Sequence, residues 1–427
     1  MIAMSHDFDI IIVGGGAVGA ALACALKNSK LKIAVIEAVS PKADIQPSYD
    51  DRGLSISLSS KNILDNLGLW QNISPHSNPI KHIHVSDQHH FGFVRMDAES
   101  MNVSALGHIV LARKLGKAFM QTIEAAENIT FFCPASVTAV EISALSASVT
   151  INVDGVDKII SSKLLVAADG AESRTRDMLG IKASVEDYQQ VAIVSNVLPQ
   201  RPHLNTAYER FTETGPLALL PHSQQRCVLV FTVAANEAEK YLQMDEQRFL
   251  DVLLERFGRR LGKFSRLGQR KSYPLKMMQA EEQVQSRAVI LGNAAHAVHP
   301  NGAQGFNLGL RDAVALAEVL SQAQENDQDI GELSLLESYL DTRVEDQQRV
   351  LNFTDRLAKN FYNRQPLKII ARNLVMLATD LSPPLKHRFT RSAMGFWGNQ
   401  PSLIFRSYQA SSSQAESTMV KSSLPSG

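Results

Sequence analysis

The sequence predicts an α/β protein in which a Rossmann-like domain carries an inserted β-rich domain and is followed by a helical C-terminal part. Three observations lead to this prediction. A strand, a helix and a second strand lie within the first 36 residues, which is the βαβ arrangement of nucleotide-binding domains. Residues 187–275 contain successive short apolar segments separated by turns, as a β-rich region does. Long helical patterns over 311–322 and 335–359 follow.

The first element is a glycine-rich turn between a strand and a helix. Phe8–Val13 is a short apolar run typical of a buried parallel strand, and Ala17–Leu26 has the pattern of a helix of small residues. Between them, Gly14, Gly16 and Gly19 fill the pattern G-x-G-x-x-G. Such glycines permit a tight turn and let the backbone and the helix N-terminus approach a pyrophosphate.

A carboxylate closes the second strand of this unit. Glu37 follows the predicted strand Leu31–Ile36, about 20 residues after the glycines, where an acidic side chain accepts hydrogen bonds from a ribose hydroxyl. The strands, the glycines and Glu37 together predict a dinucleotide-binding site. The motif alone does not separate FAD from NAD.

A second motif follows the buried strand predicted over 162–168. Asp169 and Gly170 stand directly after it, and an Asp-Gly pair in that place is commonly only a turn. Ser173 and Arg176, which follow at close spacing, make the motif more specific. We expect it to lie near a ligand.

A third motif joins a strand over 289–291 to the helical pattern that begins at Arg311. It contains Gly292 and Asn293 and continues through a loop with several glycines to Gly309. Such a loop lets the backbone contact a flat ligand, and a helix N-terminus favours a developing anion such as a reduced flavin. The alternative is a flexible linker, which the preceding strand and the scarcity of charges disfavour.

Composition excludes several other functions. Lys+Arg and Asp+Glu both number 43, so the net charge is zero and a nucleic-acid partner is not expected. Cys24, Cys133 and Cys227 are far apart without a CxxC motif, which favours neither disulfides nor zinc and fits a reducing compartment. No uninterrupted apolar window of about 18 residues suggests a spanning helix. We therefore expect a cytoplasmic protein.

A cluster of histidines invites a metal-site interpretation. His82, His84, His89 and His90 lie close together, and the first two would share one face of a strand. Because no cysteine and no evident third ligand accompanies them, we predict no metal site.

In their order and spacing, the three motifs resemble those of the para-hydroxybenzoate-hydroxylase-type flavoprotein monooxygenases, over about residues 8–360. The resemblance implies that the first motif binds the FAD pyrophosphate. The second would lie near FAD and the transient NAD(P)H, and the third would hold the ribityl chain and the pteridine part of the ring. The implied domains are a discontinuous FAD-binding domain over 6–78, 106–186 and 276–350, a β-rich substrate domain over 79–105 and 187–275, a helical region over 351–410 and a disordered tail over 411–427.

The resemblance also implies roles for individual residues. The residues that it assigns to the cofactor are Gly14, Gly16, Gly19, Glu37, Arg52, Arg113, Asp169, Gly170, Gly292, Asn293, Gly305 and Asn307. It places Pro300, Gly305 and His299 at the reaction site. His222 and His299 are candidate general bases, although either could be structural.

Further segments resemble the hydroxylases of ubiquinone biosynthesis, which act on polyprenylated phenols. These segments are 208–212, 215–221 and 273–275. Asn293 stands where most relatives have Asp, and this form favours hydroxylation of 2-polyprenyl-6-methoxyphenol to 2-polyprenyl-6-methoxy-1,4-benzoquinol. An amide can still bond a hydroxyl, but without charge. The alternative within the family is another aromatic substrate or another ring position.

The resemblance implies a monooxygenase that uses NAD(P)H and O₂. NAD(P)H, or a separate reductase, would reduce FAD. A flavin C4a-hydroperoxide would then transfer one oxygen to the phenol in a site that excludes water. A flavin reductase or oxidase and a flavin-binding subunit of a ubiquinone-biosynthesis complex are the remaining alternatives.

An apolar stripe is predicted on a helix near the C-terminus. Leu367, Ile370, Leu374, Leu377 and Leu381 recur at helical spacing. This stripe would pack on the core or on a partner subunit. Alternatively, with the basic residues around it, it would rest on a membrane surface, as a peripheral contact on the inner membrane face.

Overall fold

The computed structural model of the protein describes residues 6–40, 52–362, 365–396 and 401–404. The predicted tail over 411–427 lies outside these residues. In chain order the strands are β1 (Phe8–Val13), β2 (Ile33–Ile36), β3 (Gly53–Ser57), β4 (Ser77–Ile80), β5 (His82–Asp87), β6 (Phe93–Asp97), β7 (Gly107–Leu111), β8 (Ile129–Phe132), β9 (Ser136–Ile142), β10 (Ala147–Val153), β11 (Val156–Ala167), β12 (Ala183–Pro199), β13 (Thr206–Thr212), β14 (Gly215–Pro221), β15 (Cys227–Ala234), β16 (Phe264–Ser265), β17 (Lys271–Ala280), β18 (Val284–Gln285), β19 (Ala288–Ile290) and β20 (His296–Ala297). The helices are α1 (Ala17–Ala25), α2 (Leu58–Asn66), α3 (Trp70–Ile73), α4 (Ala112–Glu124), α5 (Arg174–Met178), α6 (Ala238–Gln243), α7 (Glu246–Phe257), α8 (Gln304–Glu325), α9 (Leu333–Tyr362), α10 (Pro366–Leu381) and α11 (Pro383–Ala393).

The first sheet has the parallel core that the βαβ pattern predicts. β19, β11, β1, β2 and β8 lie side by side in that order and run parallel. Residues from α1, α4 and α8 pack on one face, and β10 packs over the other. Because both faces are covered, these strands are apolar along most of their length.

The second sheet is antiparallel apart from one pair and has the order β20-β17-β12-β15-β14-β13-β5-β6. The exception is β13 with β5, which run parallel. One face packs against α6 and α7 through an apolar cluster that includes Phe231, Phe249 and Leu253. The opposite face lines a cavity between this sheet and the first one. β3, β7 and β4 form a small third sheet.

Two long strands of the second sheet, β12 and β17, contain the predicted domain boundaries. β12 and β17 pair with each other from Ala183↔Ala280 to Val194↔Lys271. The domain boundaries predicted at 186/187 and 275/276 therefore fall inside these strands. A register shift between Asp187 and Gln190, opposite Leu275 and Lys276, marks both predicted boundaries within this ladder.

Helix α8 begins earlier than the sequence pattern predicts. It starts at Gln304, seven residues before Arg311, and so includes Gly305 and Gly309. Glycine weakens a helix interior, which is why the pattern indicates a loop there. Tertiary packing overrides this preference, because a Cβ at position 309 would lie 2.7 Å from Cγ2 of Val18 in α1.

The apolar stripe of α10 does not pack on the core. The buried residues of this helix are Asn373, Met376 and Asp380, and they dock on the β5–β6 hairpin, where the Asp380 carboxylate accepts a 2.6 Å hydrogen bond from Arg95. Leu374 is 53% exposed. The expectation of core packing was therefore wrong, because polar anchors fix the orientation of α10. No helix in the described parts of the chain is long and apolar enough to cross a membrane.

Candidate active site

One cavity of about 1930 Å³ lies between the first sheet, the second sheet and helices α9 and α10. Its volume is roughly twice the upper end of the 300–1,000 Å³ range that suits a drug-sized ligand. It therefore has room for an extended cofactor together with a second molecule.

The three sequence motifs meet at one edge of the first sheet. Gly14 follows β1, Asp169 follows β11 and Gly292 follows β19, and these strands are parallel neighbours. The carboxyl ends of parallel strands share one edge, which is where ligands bind in open α/β sheets. The wall of the cavity here includes Gly14, Asp169 and Asn293.

The glycines of the first motif allow backbone segments to touch. A Cβ at Gly14, whose φ is +103°, would lie 2.4 Å from the carbonyl oxygen of Ala168. A Cβ at Gly19 would lie 2.0 Å from the oxygen of Gly14. Gly16 caps α1 with no side-chain hydrogen bond to the helix terminus and lines the cavity. The cradle that a phosphate group needs is therefore formed, with Gly19 in a packing role behind it.

Glu37 has a defined orientation at the end of β2. Its Oε2 accepts a 2.8 Å hydrogen bond from the backbone N–H of Gly15, and its Oε1 accepts one of 2.8 Å from that of Val39. The carboxylate lines the cavity and keeps lone pairs for further donors. This arrangement suits acceptance of ribose hydroxyls, and the contact itself stays a prediction.

The carboxylate of Asp169 is occupied by its own motif. It accepts hydrogen bonds from the Ser173 hydroxyl, from the Thr175 backbone N–H at 3.1 Å and from the Thr175 hydroxyl at 2.9 Å. Ser173 in turn caps α5. Asp169 thus orders the start of this short helix beside the cavity, and Gly170, with φ +93°, turns the chain along the cavity wall.

Arg176 connects the second motif to the third. Its guanidinium donates to the carbonyl oxygen of Ala171 at 3.1 Å and to that of Ala294 at 3.2 Å. Its Nε is buried with no hydrogen-bond partner among the described residues, although Arg176 lines the cavity. The two motifs are therefore held as one wall.

The third motif contributes an open helix terminus. The first N–H groups of any helix have no intrahelical partner. At the start of α8, Ala303 has a left-handed conformation with φ +50° and no side chain caps these groups. The side chain of Asn307 has a structural role, because its amide donates to the backbone oxygens of Ser55 and Ala303 and accepts from the N–H of Ser57. A further contact from Asn307 to the cofactor stays a prediction.

Two buried acceptors of the third motif have no donor among the described residues. Asn301 Oδ1 and Gln304 Oε1 are both buried without a hydrogen-bond partner within the described residues, and both residues line the cavity. Buried polar atoms are normally satisfied. A ligand that presents both N–H and carbonyl groups, as the edge of an isoalloxazine does, matches these acceptors and the N–H groups of α8. The residues present therefore fit FAD.

His299 and His222 do not line the cavity. His299 is completely buried and its Nδ1 accepts a 3.3 Å hydrogen bond from the N–H of Asn301. Burial lowers the pKa of His299 to about 4, so the ring is neutral at pH 7. His222 lies 3.3 Å from the amide nitrogen of Asn78. Both histidines shape loops, whereas Pro300 and Gly305 line the cavity as the sequence predicts.

The two predicted arginines differ in position. Arg52 lines the cavity and its guanidinium lies 4.9 Å from the ring centroid of Tyr273. Arg113 is exposed at the start of α4 and is absent from the cavity wall. A contact between Arg52 and FAD fits the structure, and a contact from Arg113 remains a prediction without that support.

A buried ionic cluster behind the third motif is missed by the sequence analysis. Asp312 of α8 accepts from His296 at 2.8 Å and from Arg343 of α9 at 2.7 Å, and Arg343 also pairs with Asp346. Burial alone would raise the pKa of Asp312, but the charge of Arg343 and the bond from His296 outweigh it and hold that pKa below its ordinary value. The cluster fixes α8 and α9 behind the cavity wall. Its only sequence signal is charge inside an apolar helix pattern.

Besides this cluster, the sequence analysis did not identify Glu209 as a candidate site residue. It lies on the cavity-facing side of β13, between the inward positions Ala207 and Phe211. An acidic residue at an inward position of an alternating strand is the signal that could have identified it. Among the described cavity-lining residues that the second sheet contributes, it is the only carboxyl.

Known proteins resemble this chain along most of its length. Residues 7–354 match the family described as FAD binding domain. Ubiquinone hydroxylase UbiL of Rhodospirillum rubrum is 36% identical over 91% of this chain and 89% of its own. The 3-demethoxyubiquinol 3-hydroxylase of Escherichia coli is 29% identical over 91% and 98%. The crystal structure of p-nitrophenol 4-monooxygenase PnpA from Pseudomonas putida superimposes with a TM-score of 0.74 at 17% identity, over 92% of this chain and 99% of that one, which shows a shared fold.

Proposed function

This chain belongs to the FAD-binding-domain family of flavoprotein monooxygenases, within the group that includes the ubiquinone hydroxylases; on that premise we propose that it hydroxylates 2-polyprenyl-6-methoxyphenol to 2-polyprenyl-6-methoxy-1,4-benzoquinol. One observation carries the proposal. The cradle for FAD and an apolar sheet face line the same cavity of about 1930 Å³. A cofactor and a long apolar phenol can therefore lie side by side in it.

The reaction balances with O₂ and a reduced nicotinamide. The phenol, O₂, NAD(P)H and one proton give the hydroquinone, NAD(P)⁺ and water. When bound, FAD supplies the electron transfer and oxygen activation that side chains cannot supply. The route of oxygen transfer implied by the resemblance stays a prediction, as does the choice between NADH, NADPH and a separate reductase.

The protein contributes position and dryness. The substrate side of the cavity is lined by apolar side chains of the second sheet, among them Val85, Val94 and Leu220, and by Phe361 of α9. Phe361 stacks on Phe211 with ring centroids 3.5 Å apart and an interplanar angle of 11°. Such walls exclude water from the reacting atoms and suit a polyprenyl chain.

A different ring position is the competing assignment. One relative is named for hydroxylation of a 3-demethoxyubiquinol. Our preference for the methoxyphenol reaction over this one rests on a single residue, Asn293. Asn293 is exposed towards the cavity, so its amide can bond a hydroxyl group of the cofactor. The products of the two reactions differ in the ring carbon that gains oxygen.

Helix α10 offers a route for a substrate that resides in lipid. Lys368, Arg372 and Met376 line the cavity, while Leu367 and Leu381 on the same helix are 82% and 70% exposed. We propose that this exposed apolar side, with its neighbouring cations, rests on the anionic inner face of a membrane. Membership of a complex of ubiquinone-biosynthesis proteins stays a prediction.

An isotope experiment tests the proposed reaction. The FAD-loaded protein receives NADPH, ¹⁸O₂ and a short-chain 2-prenyl-6-methoxyphenol, and the product is examined by mass spectrometry and fragmentation. We expect one labelled oxygen para to the original hydroxyl. Label at another ring carbon would support the competing position. NADPH oxidation that yields only hydrogen peroxide from every prenylated phenol would contradict the proposed function.

A further inference from the structure

One row of side chains crosses the cavity-facing side of the second sheet from β12 to β6, and in this stretch its only polar member is Glu209. Cross-strand pairing gives the row directly: Glu209 pairs with Ala218 and with Val85. The row continues through pairs Ala218↔Val230 and Val194↔Val230 on one side and Val85↔Val94 on the other. The carboxyl therefore stands near the middle of an apolar wall.

Glu209 also touches the third motif. Its carboxyl accepts a hydrogen bond from the backbone N–H of Gly302, which lies in the loop before α8 together with Pro300, and both residues line the cavity. The side chain is partly accessible because it faces the hollow interior, not the outer solvent. The carboxyl thus lies where the loop of the third motif meets the apolar face of the second sheet.

Resting on the hydroxylation proposed above, we propose that Glu209 is the catalytic base that removes the phenolic proton of the substrate. The phenol O–H bond breaks, and its proton forms an O–H bond with the Glu209 carboxylate. The electron pair stays on the phenolate oxygen, from which it is delocalised into the ring. The ring carbon para to that oxygen becomes more nucleophilic, as oxygen transfer requires.

The other candidate groups are committed elsewhere. Asp169 already accepts three hydrogen bonds from Ser173 and Thr175, and His222 and His299 do not line the cavity. Asp87, two positions along β5 from the residue that pairs with Glu209, accepts a 2.9 Å hydrogen bond from Arg372. Glu209 is thus the carboxyl of the substrate side that has an apolar environment and a single hydrogen bond from the backbone.

The environment tunes this carboxyl for the role. Burial raises the pKa of Glu209 to about 7, and the Gly302 N–H lowers it only in part. The other charged side chains that the sheet and α10 contribute to the wall are Lys276, Lys368 and Arg372. A base is most effective when its pKa lies near the working pH. The carboxylate is then present at pH 8 and still basic enough to take a proton.

The test compares Glu209→Gln with Glu209→Asp and with Glu213→Gln. Glu213 lies in the turn of the same hairpin and is exposed, so its variant is the matched control. Phenol binding is followed by the change in flavin absorbance, and hydroxylation by single turnover from pH 5 to 10. We expect Glu209→Gln to lose about 10²–10⁴-fold in rate, the range typical of a removed general base, with phenol affinity within about threefold.

The pH profile separates a base from a structural residue. Wild type and Glu213→Gln should rise to a plateau above an apparent pKa of about 7. Glu209→Gln should instead keep rising towards pH 10, because phenols ionise unaided near pKa 10. Glu209→Asp, which keeps the acid but shortens it, should retain more of the rate than Glu209→Gln and the same acid limb. If Glu209→Gln folds poorly, the rate and pH profile of Glu209→Asp still test the proposed role.

An infrared titration of the resting, FAD-loaded protein gives a readout that needs no turnover. The carbonyl stretch of a protonated carboxyl should disappear with a midpoint near pH 7 in wild type and be missing in Glu209→Gln. Unchanged rate and pH profile in Glu209→Gln, with labelled product formed, would overturn this role and leave the hydroxylase assignment intact. Absence of hydroxylated product in wild type would instead overturn the proposed function, and the role of Glu209 in hydroxylation with it.

Discussion

The cavity has two walls: a cofactor wall, formed by the three motifs at the edge of the first sheet, and a substrate wall, formed by the second sheet. They differ in the environment that each gives to its carboxyl groups. On the first sheet, Asp169 accepts three hydrogen bonds within its own motif and Glu37 accepts two from the backbone. On the second sheet, Glu209 has an apolar row around it and a bond from Gly302. The carboxylates of the cofactor wall are therefore oriented before a ligand arrives, because protein donors hold them. The substrate wall keeps one group with unused basicity.

The largest expected effect concerns the ionic cluster that supports the cofactor wall. We expect Asp312→Ala to lower the free energy of unfolding by about 3–5 kcal/mol, because the buried positive charge of Arg343 then lacks one of its carboxylate partners. Chemical denaturation measures the loss. Asp65→Asn removes the partly exposed pair with Lys61 and should cost only about 0.2–0.5 kcal/mol. Equal effects of the two variants would contradict a pre-fixed cofactor wall.

The pH dependence of this cluster has a definite sign. The pKa of Asp312 is below its ordinary value in the folded state, so its stabilising contribution is present above the ordinary pKa of about 3.9 and is lost as the pH falls below it. The stability gap between wild type and Asp312→Ala should therefore narrow on acidification from pH 5.

Next in size is the effect of crowding the phosphate cradle. Gly19→Ala places a Cβ about 2.0 Å from the oxygen of Gly14, so the turn must shift. We expect the purified variant to lose FAD, with affinity reduced at least about 100-fold. Gly268→Ala, whose nearest contact would be an ordinary 3.4 Å, is the control. Normal flavin content in Gly19→Ala, measured by absorbance after gel filtration, would argue against the cradle.

A smaller effect sharpens the contrast from the substrate side. The pKa of Glu209 is raised from 4.5 to about 7, so the stability that its proton provides is full below pH 4.5 and is lost as the pH rises through 7. Glu209→Gln carries no such dependence. Relative to wild type it should therefore gain stability between pH 5 and 8, measured by thermal unfolding. If the stability of both proteins changed equally between pH 5 and 8, the carboxyl of Glu209 would be solvated.

The smallest expected effect concerns the surface. Leu367→Ser with Leu381→Ser should weaken binding to vesicles of anionic lipid by about tenfold while the unfolding temperature stays unchanged, because these side chains are exposed. Val156 and Ile159 on the cofactor side are also 68% and 70% exposed, and their double serine variant is the matched control. Co-sedimentation gives both affinities. Equal loss in the two pairs would mean that α10 has no special role at the membrane.

The cofactor wall could be predicted closely from the sequence, and the substrate wall could not. Gly14, Asp169 and Gly292 each follow a recognisable strand, and local chemistry of turns and caps requires their types at those places. Glu209 depends on cross-strand register, which pairs residues 209 and 230 through an intermediate strand. The local alternation could mark Glu209 as an inward acidic residue, but register is long-range, so the local pattern does not reveal its apolar neighbours on other strands.

The sequence by itself determined the α/β class, the three motifs at the ends of parallel strands and the family resemblance, because these depend on hydrophobic period and on glycines in fixed places. The tertiary structure decided that α8 begins at Gln304 and that Leu367, Leu374 and Leu381 of α10 face outwards. It also decided that Asn307 bonds backbone and that Glu209 stands alone in an apolar row. These outcomes depend on which distant surfaces meet, and packing free energy then overrides local propensity.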